Sequence, residues 1–192
     1  MIKLDIPISE EKIRSLKVGD TVLLSGVMVT ARDAGHKLMV EERPAFLNEL
    51  LKEGVIYHCG PVVKKEGEKW SFVAAGPTTS IREEPYQGKV IESYGVRGVI
   101  GKGGMGKGTM EACKKFGAVY FHAVGGCGTS TAVAVKEVLD VHKLDEFGTP
   151  EAFWVIRTED FPVIVTMDAH GESIHDKVDA ESRKVLDALL KT

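Results

Sequence analysis

No stretch of the 192-residue chain approaches the roughly 20 consecutive apolar residues of a membrane-spanning helix. The charged N-terminus, MIKLDIPISEEK, has no apolar core of the signal-peptide kind. Bulk positive charge is also lacking: 25 Lys+Arg stand against 28 Asp+Glu, a net charge of -3, which argues against a protein held to nucleic acid by its own field. Cysteine is scarce. Cys59, Cys113 and Cys127 are odd in number and include no C-x-x-C pair, so they form neither a disulfide framework nor a zinc or redox motif. Three thiols could hold an iron–sulfur cluster, but this spacing matches no such signature and Cys113 falls in a helical stretch. Cys59 and Cys113 are expected as small buried hydrophobes; Cys127, in a glycine loop, stays open. There are no internal repeats and no low-complexity linker. The expectation is a soluble, cytoplasmic protein, one unit over 1–192, with neither membrane nor nucleic acid as partner. Its 43% hydrophobic and 28% charged residues place it among globular chains.

The first half is textured by short β-branched runs. Thr21–Thr30 (TVLLSGVMVT), Ile56–Tyr57, Val62–Val63 and Trp70–Ala75 read as strands, with a polar turn around Gly67. Residues 36–52 carry apolar positions near helical spacing, with Pro44 placed to begin or break a helix. The second half alternates strand and helix. Gly98–Ile100 and Ala118–His122 are strands that each end in a glycine loop. Thr109–Phe116 is a helix stopped by Gly117. Thr129–Leu139 reads as a helix capped by Thr129 or Ser130, Ala152–Arg157 and Pro162–Met167 as strands, and Val178–Leu190 as a terminal helix burying Val178, Val185, Leu186 and Leu189. The alternation implies an α/β fold with parallel crossovers, and ligands then bind beyond the carboxyl ends of the strands.

The glycine loop Gly101–Thr109 (GKGGMGKGT) admits three readings. Gly101, Gly103 and Gly106 satisfy G-x-G-x-x-G, but no acidic residue follows at the ribose distance, where Tyr120, Phe121 and His122 stand. Gly101 to Lys107 matches a P-loop, the nucleotide-binding alternative, with Asp168 as a metal-holding acid; Gly108 then occupies the position of the required hydroxyl and Thr109 comes one residue late. In the third reading, Lys102 supplies a point charge and the loop amides cradle an anion. A tight turn needing glycine for backbone room is the bland explanation.

Two further segments place an arginine just past a strand: Thr30–His36 (TARDAGH) and Gly76–Arg82 (GPTTSIR). Arginine's planar fork matches a carboxylate. Local ion pairs, Arg32 with Asp33 or Glu41 and Arg82 with Glu83 or Glu84, are the alternative, and Thr78 or Thr79 could simply cap a turn. Together Arg32, Arg82 and Lys102 suggest a pocket for a small polyanion with Thr78 or Thr79 at hydroxyl distance. Each charge pair at about 4 Å gains roughly 4 kcal/mol before desolvation.

The strings GPTTSIR, GKGGMG, GAVYFHAVGG (Gly117–Gly126) and FPVIVTMDAHG (Phe161–Gly171) resemble the class I fumarate hydratases. More closely, the chain is similar to the separate beta subunit found where that enzyme, or its relative L(+)-tartrate dehydratase, is split into two chains. The resemblance implies a swivelling β/β/α domain and a hydro-lyase interconverting fumarate and malate, active only as a hetero-oligomer. It implies that the [4Fe–4S] cluster is supplied by the alpha subunit while this chain binds substrate carboxylates. By the same resemblance Arg32, Arg82, Lys102, Thr79, Gly103 and Gly104 contact the dicarboxylate, Thr78 takes the proton from carbon, and His36 orients Arg32 or its loop. An alcohol is a poor base at neutral pH unless something accepts its own proton, and a partner carboxylate is the expected helper. Single-chain fumarases tend to carry Ala-Gly before the arginine where this chain has Ser80-Ile81, which leaves tartrate as the alternative substrate; Ala123–Gly126 leans toward fumarate.

Overall fold

A computed structural model describes residues 1–190; the last two residues of the 1–192 unit lie outside the described residues. The strands are β1 (Ile2–Ile6), β2 (Thr21–Thr30), β3 (Val55–Tyr57), β4 (Val62–Glu66), β5 (Lys69–Ala74), β6 (Gly98–Gly101), β7 (Val119–His122), β8 (Val135–His142) and β9 (Phe153–Met167). The helices are α1 (Glu10–Ser15), α2 (Asp33–Glu41), α3 (Leu47–Leu51), α4 (Glu84–Tyr94), α5 (Lys107–Phe116), α6 (Gly128–Val133), α7 (Leu144–Phe147) and α8 (Ile174–Leu189), with a 3-10 turn at Ser80–Glu83. Among the described residues no helix is long and apolar enough to cross a membrane.

Seven strands form one mixed sheet, in the order β1-β2-β3-β6-β7-β9-β8. Strands β1, β2, β3, β6 and β7 run parallel, while β9 runs antiparallel to β7, β8 and also β2. The second β2–β9 ladder closes β2, β3, β6, β7 and β9 into a circuit, so side chains alternate between an interior and an outer face. Val55, Tyr57, Ile100, Val119, Phe121, Trp154 and Ile156 fill the interior, with Trp70 and Phe72 of the β4–β5 hairpin set edge-on to Trp154. Ile56, Val99, Tyr120 and Phe153 point outward, against Met39, Leu51, Val90, Ile91 and Cys113 of α2 to α5. One strand periodicity thus builds two cores.

Residues 36–52 are broken into α2 and α3 at Arg43-Pro44, one of the two outcomes Pro44 allowed, with Arg43 in the left-handed region at φ 49. Other expectations are corrected. The expected helix Thr129–Leu139 ends at Val133, its N-cap position is Cys127 with no side-chain cap bond, and β8 follows. The two expected strands at 152–167 are one long strand, β9. Helix α8 leaves Val178, Val185, Leu186 and Leu189 exposed rather than buried.

Candidate substrate site

The parallel strands β2, β3, β6 and β7 deliver four segments to one end of the sheet: Ala31–Asp33, His58–Gly60, Lys102–Gly104 and Ala123–Gly125. The 76–82 segment crosses above them. Pro77 bridges Cys59, Thr78 N–H donates to the His58 carbonyl at 2.8 Å, Lys102 N–H donates to the Thr78 carbonyl at 3.2 Å, and Ser80 N–H to the Lys102 carbonyl at 3.0 Å. Thr78, Thr79 and Lys102 therefore stand side by side as a short parallel bridge. This approach needs Gly101: a Cβ there would lie 1.7 Å from Ser80 Oγ. No side chain with a β-carbon fits.

Thr78 Oγ1 is a buried hydroxyl with no hydrogen-bond partner among the described residues, whereas Thr79 is exposed and makes no cap bond. Lys102 is half-buried. Gly103 is exposed at φ 84, and Gly104 is buried with its N–H on the Tyr120 hydroxyl.

Both arginines are held by carboxylates distant in sequence rather than by local ones. Arg32 Nε lies 3.3 Å from Glu151 Oε1, within ion-pair range but misaligned for a hydrogen bond, so the Nε–H is left buried and unpartnered. Glu151 also accepts from Ala34 N–H at 3.0 Å and so caps the start of α2. The Arg32 guanidinium runs along Gly60, where a Cβ would stand 2.7 Å from Nη1. Arg82 pairs with Asp33, the residue after Arg32. With the Arg82 side chain 57% exposed, that pair contributes at most about 1 kcal/mol. A ligand carboxylate can exchange for it. The site thus joins Arg32, through Asp33, to Arg82, and Thr78 to Lys102.

His36 is fully buried. Its Nδ1 lies 2.9 Å from the Arg32 carbonyl and its Nε2 2.9 Å from the Gln87 amide, so it holds the Arg32 turn. Glu83, beneath Arg82, is nearly wholly buried; burial first, then the Asp33 charge, pushes its carboxyl up to about 8. Gln87, His58 and Glu151 escaped sequence reasoning, and Glu83 entered it only as a local ion-pair partner for Arg82. The one signal for Gln87 was its place among Val90, Ile91 and Tyr94 on the buried stripe of α4.

The nucleotide readings of the glycine loop do not survive. The Glu84 carboxylate already occupies the start of α5, accepting from Gly106 N–H at 2.7 Å, Thr109 N–H at 3.2 Å and the Thr109 hydroxyl at 2.6 Å. An internal carboxylate sits where a phosphate would. Asp168 is likewise committed, accepting from the Val18, His170 and Glu172 amides.

The thiols do not suit a metal cluster on this chain. Cys59 and Cys113 are buried, with burial pushing each up to about 12, and Cys127 is exposed. Among the described residues no three His, Cys, Asp or Glu side chains are grouped to hold a metal ion.

A family model described as "Fumarase C-terminus" matches residues 1–178. The chain is 50% identical over 188 residues to a Geobacillus stearothermophilus protein named "Putative fumarate hydratase class I", covering 97% of this chain and 36% of that one. It is 42% identical over 185 residues to the L(+)-tartrate dehydratase subunit beta of Escherichia coli K12, covering 94% of this chain and 90% of that one. The chain therefore spans about a third of the first relative and nearly all of the second.

Proposed function

The chain belongs to the fumarase C-terminus family, and from that premise we propose that it is the carboxylate-binding beta subunit of a two-chain hydro-lyase that interconverts fumarate and L-malate. The observation that supports this most is the unpartnered Thr78 hydroxyl, buried beside the Lys102 backbone at the strand ends where Arg32 and Arg82 emerge.

Fumarate carries two carboxylates, and Arg32, Arg82 and Lys102 offer three cations. Glu151 pre-orients the Arg32 guanidinium, so little of its side-chain freedom remains to be lost on binding, and Arg82 exchanges Asp33 for a substrate carboxylate. Dehydration removes a proton from one substrate carbon and hydroxide from the next; hydration returns both. In this proposal Thr78 Oγ takes the carbon proton, which requires its own hydroxyl proton to leave at the same time. No described side chain of this chain accepts it. The acceptor, a carboxylate, is therefore assigned to the alpha subunit, and so is the [4Fe–4S] cluster, for which the thiols here are unsuited.

The 90% coverage of a tartrate dehydratase beta subunit supports a second reading, dehydration of L(+)-tartrate to oxaloacetate in the same pocket. Anaerobic co-expression with a cluster-bearing alpha chain, followed by assays on malate, fumarate and both tartrates, separates the two. Turnover of malate and fumarate is expected. Turnover of tartrate alone assigns the second reading, and a complex inactive on all four overturns both.

A further inference from the structure

We propose that Gln87 is the positioning residue of this site: its amide N–H groups donate to both His36 and His58, holding both rings as the Nδ1–H form and tying together the segments that carry Arg32, Thr78 to Arg82, and Lys102. The role in positioning rests on the carboxylate-binding reading above; the hydrogen-bond assignment does not.

The argument is one of donors and acceptors. His36 Nδ1 faces the Arg32 carbonyl at 2.9 Å, and a carbonyl only accepts, so Nδ1 carries the hydrogen. Both rings are fully buried, and desolvation lowers their basicity, His58's well below its ordinary value. A neutral His36 with hydrogen on Nδ1 has a bare lone pair on Nε2. That atom requires a donor. The Gln87 amide lies 2.9 Å from it, and the same amide atom lies 2.8 Å from His58 Nε2.

With Oε1 at that point, an acceptor would face the His36 lone pair while both hydrogens of Gln87 Nε2 stayed buried without a partner. Turning the amide by 180° about its terminal bond exchanges the two atoms. Each N–H then meets one imidazole, and a single oxygen is left unpaired in place of two hydrogens. His58, accepting at Nε2, carries its hydrogen on Nδ1 and donates to Ser80 Oγ at 2.8 Å. Ser80 Oγ also accepts from the Tyr120 hydroxyl at 2.9 Å, and that hydroxyl in turn receives the Gly104 N–H.

One amide on α4 thus reaches the Arg32 turn through His36, the 76–82 segment through His58 and Ser80, and the Lys102–Gly104 loop through Tyr120. The two rings meet edge to face, with centroids 4.9 Å apart, so neither can turn without displacing the other.

The two histidines should respond differently to Gln87→Glu. A carboxylate at 87 accepts only, so both Nε2 atoms must gain a hydrogen. His58 can comply by moving its hydrogen from Nδ1 to Nε2, because the Ser80 hydroxyl can donate in its place. His36 cannot, since the Arg32 carbonyl still demands Nδ1–H; it must become an imidazolium.

The test has two arms. In the purified chain labelled with 15N-histidine, spectra near pH 7 should show His36 and His58 both neutral and protonated on Nδ1. In Gln87→Glu, His36 should be doubly protonated and His58 a neutral Nε2–H. Wild-type rings protonated on Nε2 overturn the assignment. Should Gln87→Glu fail to fold, the wild-type spectrum and Gln87→Met still decide. In the complex with the alpha chain, Gln87→Met should raise KM for malate about tenfold per folded site, while a residue of purely structural importance would lower the folded yield and leave KM unchanged. An unchanged KM overturns the positioning role. If the wild-type complex turns over no dicarboxylate, the proposed function fails, and the spectra alone then uphold or refute the hydrogen-bond assignment.

Discussion

Replacing Glu84 with alanine removes the carboxylate that fills the start of α5. Three hydrogen bonds go with it, from Gly106 N–H, Thr109 N–H and the Thr109 hydroxyl. Thr109 is fully buried, so water replaces little of what is lost. Loss of a helix cap costs about 0.5–2 kcal/mol, and interaction of a carboxylate with the positive end of a helix adds about 0.3–1 kcal/mol. The expected destabilisation is about 1–3 kcal/mol. For a chain of this size each kcal/mol lowers the unfolding midpoint by about 2–4 °C, so Glu84→Ala should unfold roughly 2–12 °C below wild type. Glu84→Gln, which keeps an acceptor oxygen but loses the charge, should fall between them. Circular dichroism or calorimetry reads the midpoints. A midpoint for Glu84→Ala within 1 °C of wild type would refute the claim that this carboxylate fills the loop, and so would heat of Mg-ATP binding to the wild-type chain.

Arg82→Lys keeps the charge and loses the fork, so kcat/KM for malate in the two-chain complex should drop about 10- to 100-fold, the worth of one hydrogen bond to a charged group; near-wild-type turnover removes Arg82 from the site. Glu83 is held protonated in the fold up to about pH 8 against an ordinary value of 4.5. Its contribution to stability is thus complete below pH 4.5 and lost progressively as pH rises toward 8. Denaturant titrations of wild type and Glu83→Gln should diverge over that window, the variant gaining on wild type as pH rises, and parallel curves would contradict the assignment. A thiol reagent should modify one cysteine rapidly in the native chain, Cys127, and reach Cys59 and Cys113 only on unfolding.

The strands were legible where the chain carries short runs of β-branched and aromatic apolar residues, as in β2 and β7, because side chains on both faces of the circuit pack into a core. Strand β8 was misread for a definable reason. Its apolar residues Val135, Val138 and Val141 recur every three positions, which looks helical, and that spacing arises from register shifts at Val135/Glu137 and Val138/Asp140 against β9. Helix α4 was missed although its Pro85 and the left-handed Gly95 mark both ends, because Glu84, Gln87 and Gly88 blur its apolar stripe. The apolar face of α8 was expected inside, since periodicity shows that a face exists and not what lies against it.

In the candidate site, residue types past strand ends pointed to Arg32 and Lys102, because β2 and β6 are parallel strands of one sheet, whereas Thr78 and Arg82 follow β5 of the separate β4–β5 hairpin and join them through the backbone bonds of the 76–82 segment to His58 and Lys102. Their supporting groups were invisible. Glu151 reaches Arg32 and Gln87 reaches His36 and His58 only through the closed topology, and neither relation leaves a spacing to read.

The most direct test of the carboxylate-binding pocket is an anaerobic crystal structure of the two-chain complex with malate bound. It should show Arg82 turned from Asp33 onto a substrate carboxylate, with Arg32, Lys102 and the Thr78 hydroxyl on the same molecule. Malate seated away from all four side chains, with Arg82 still on Asp33, would contradict it.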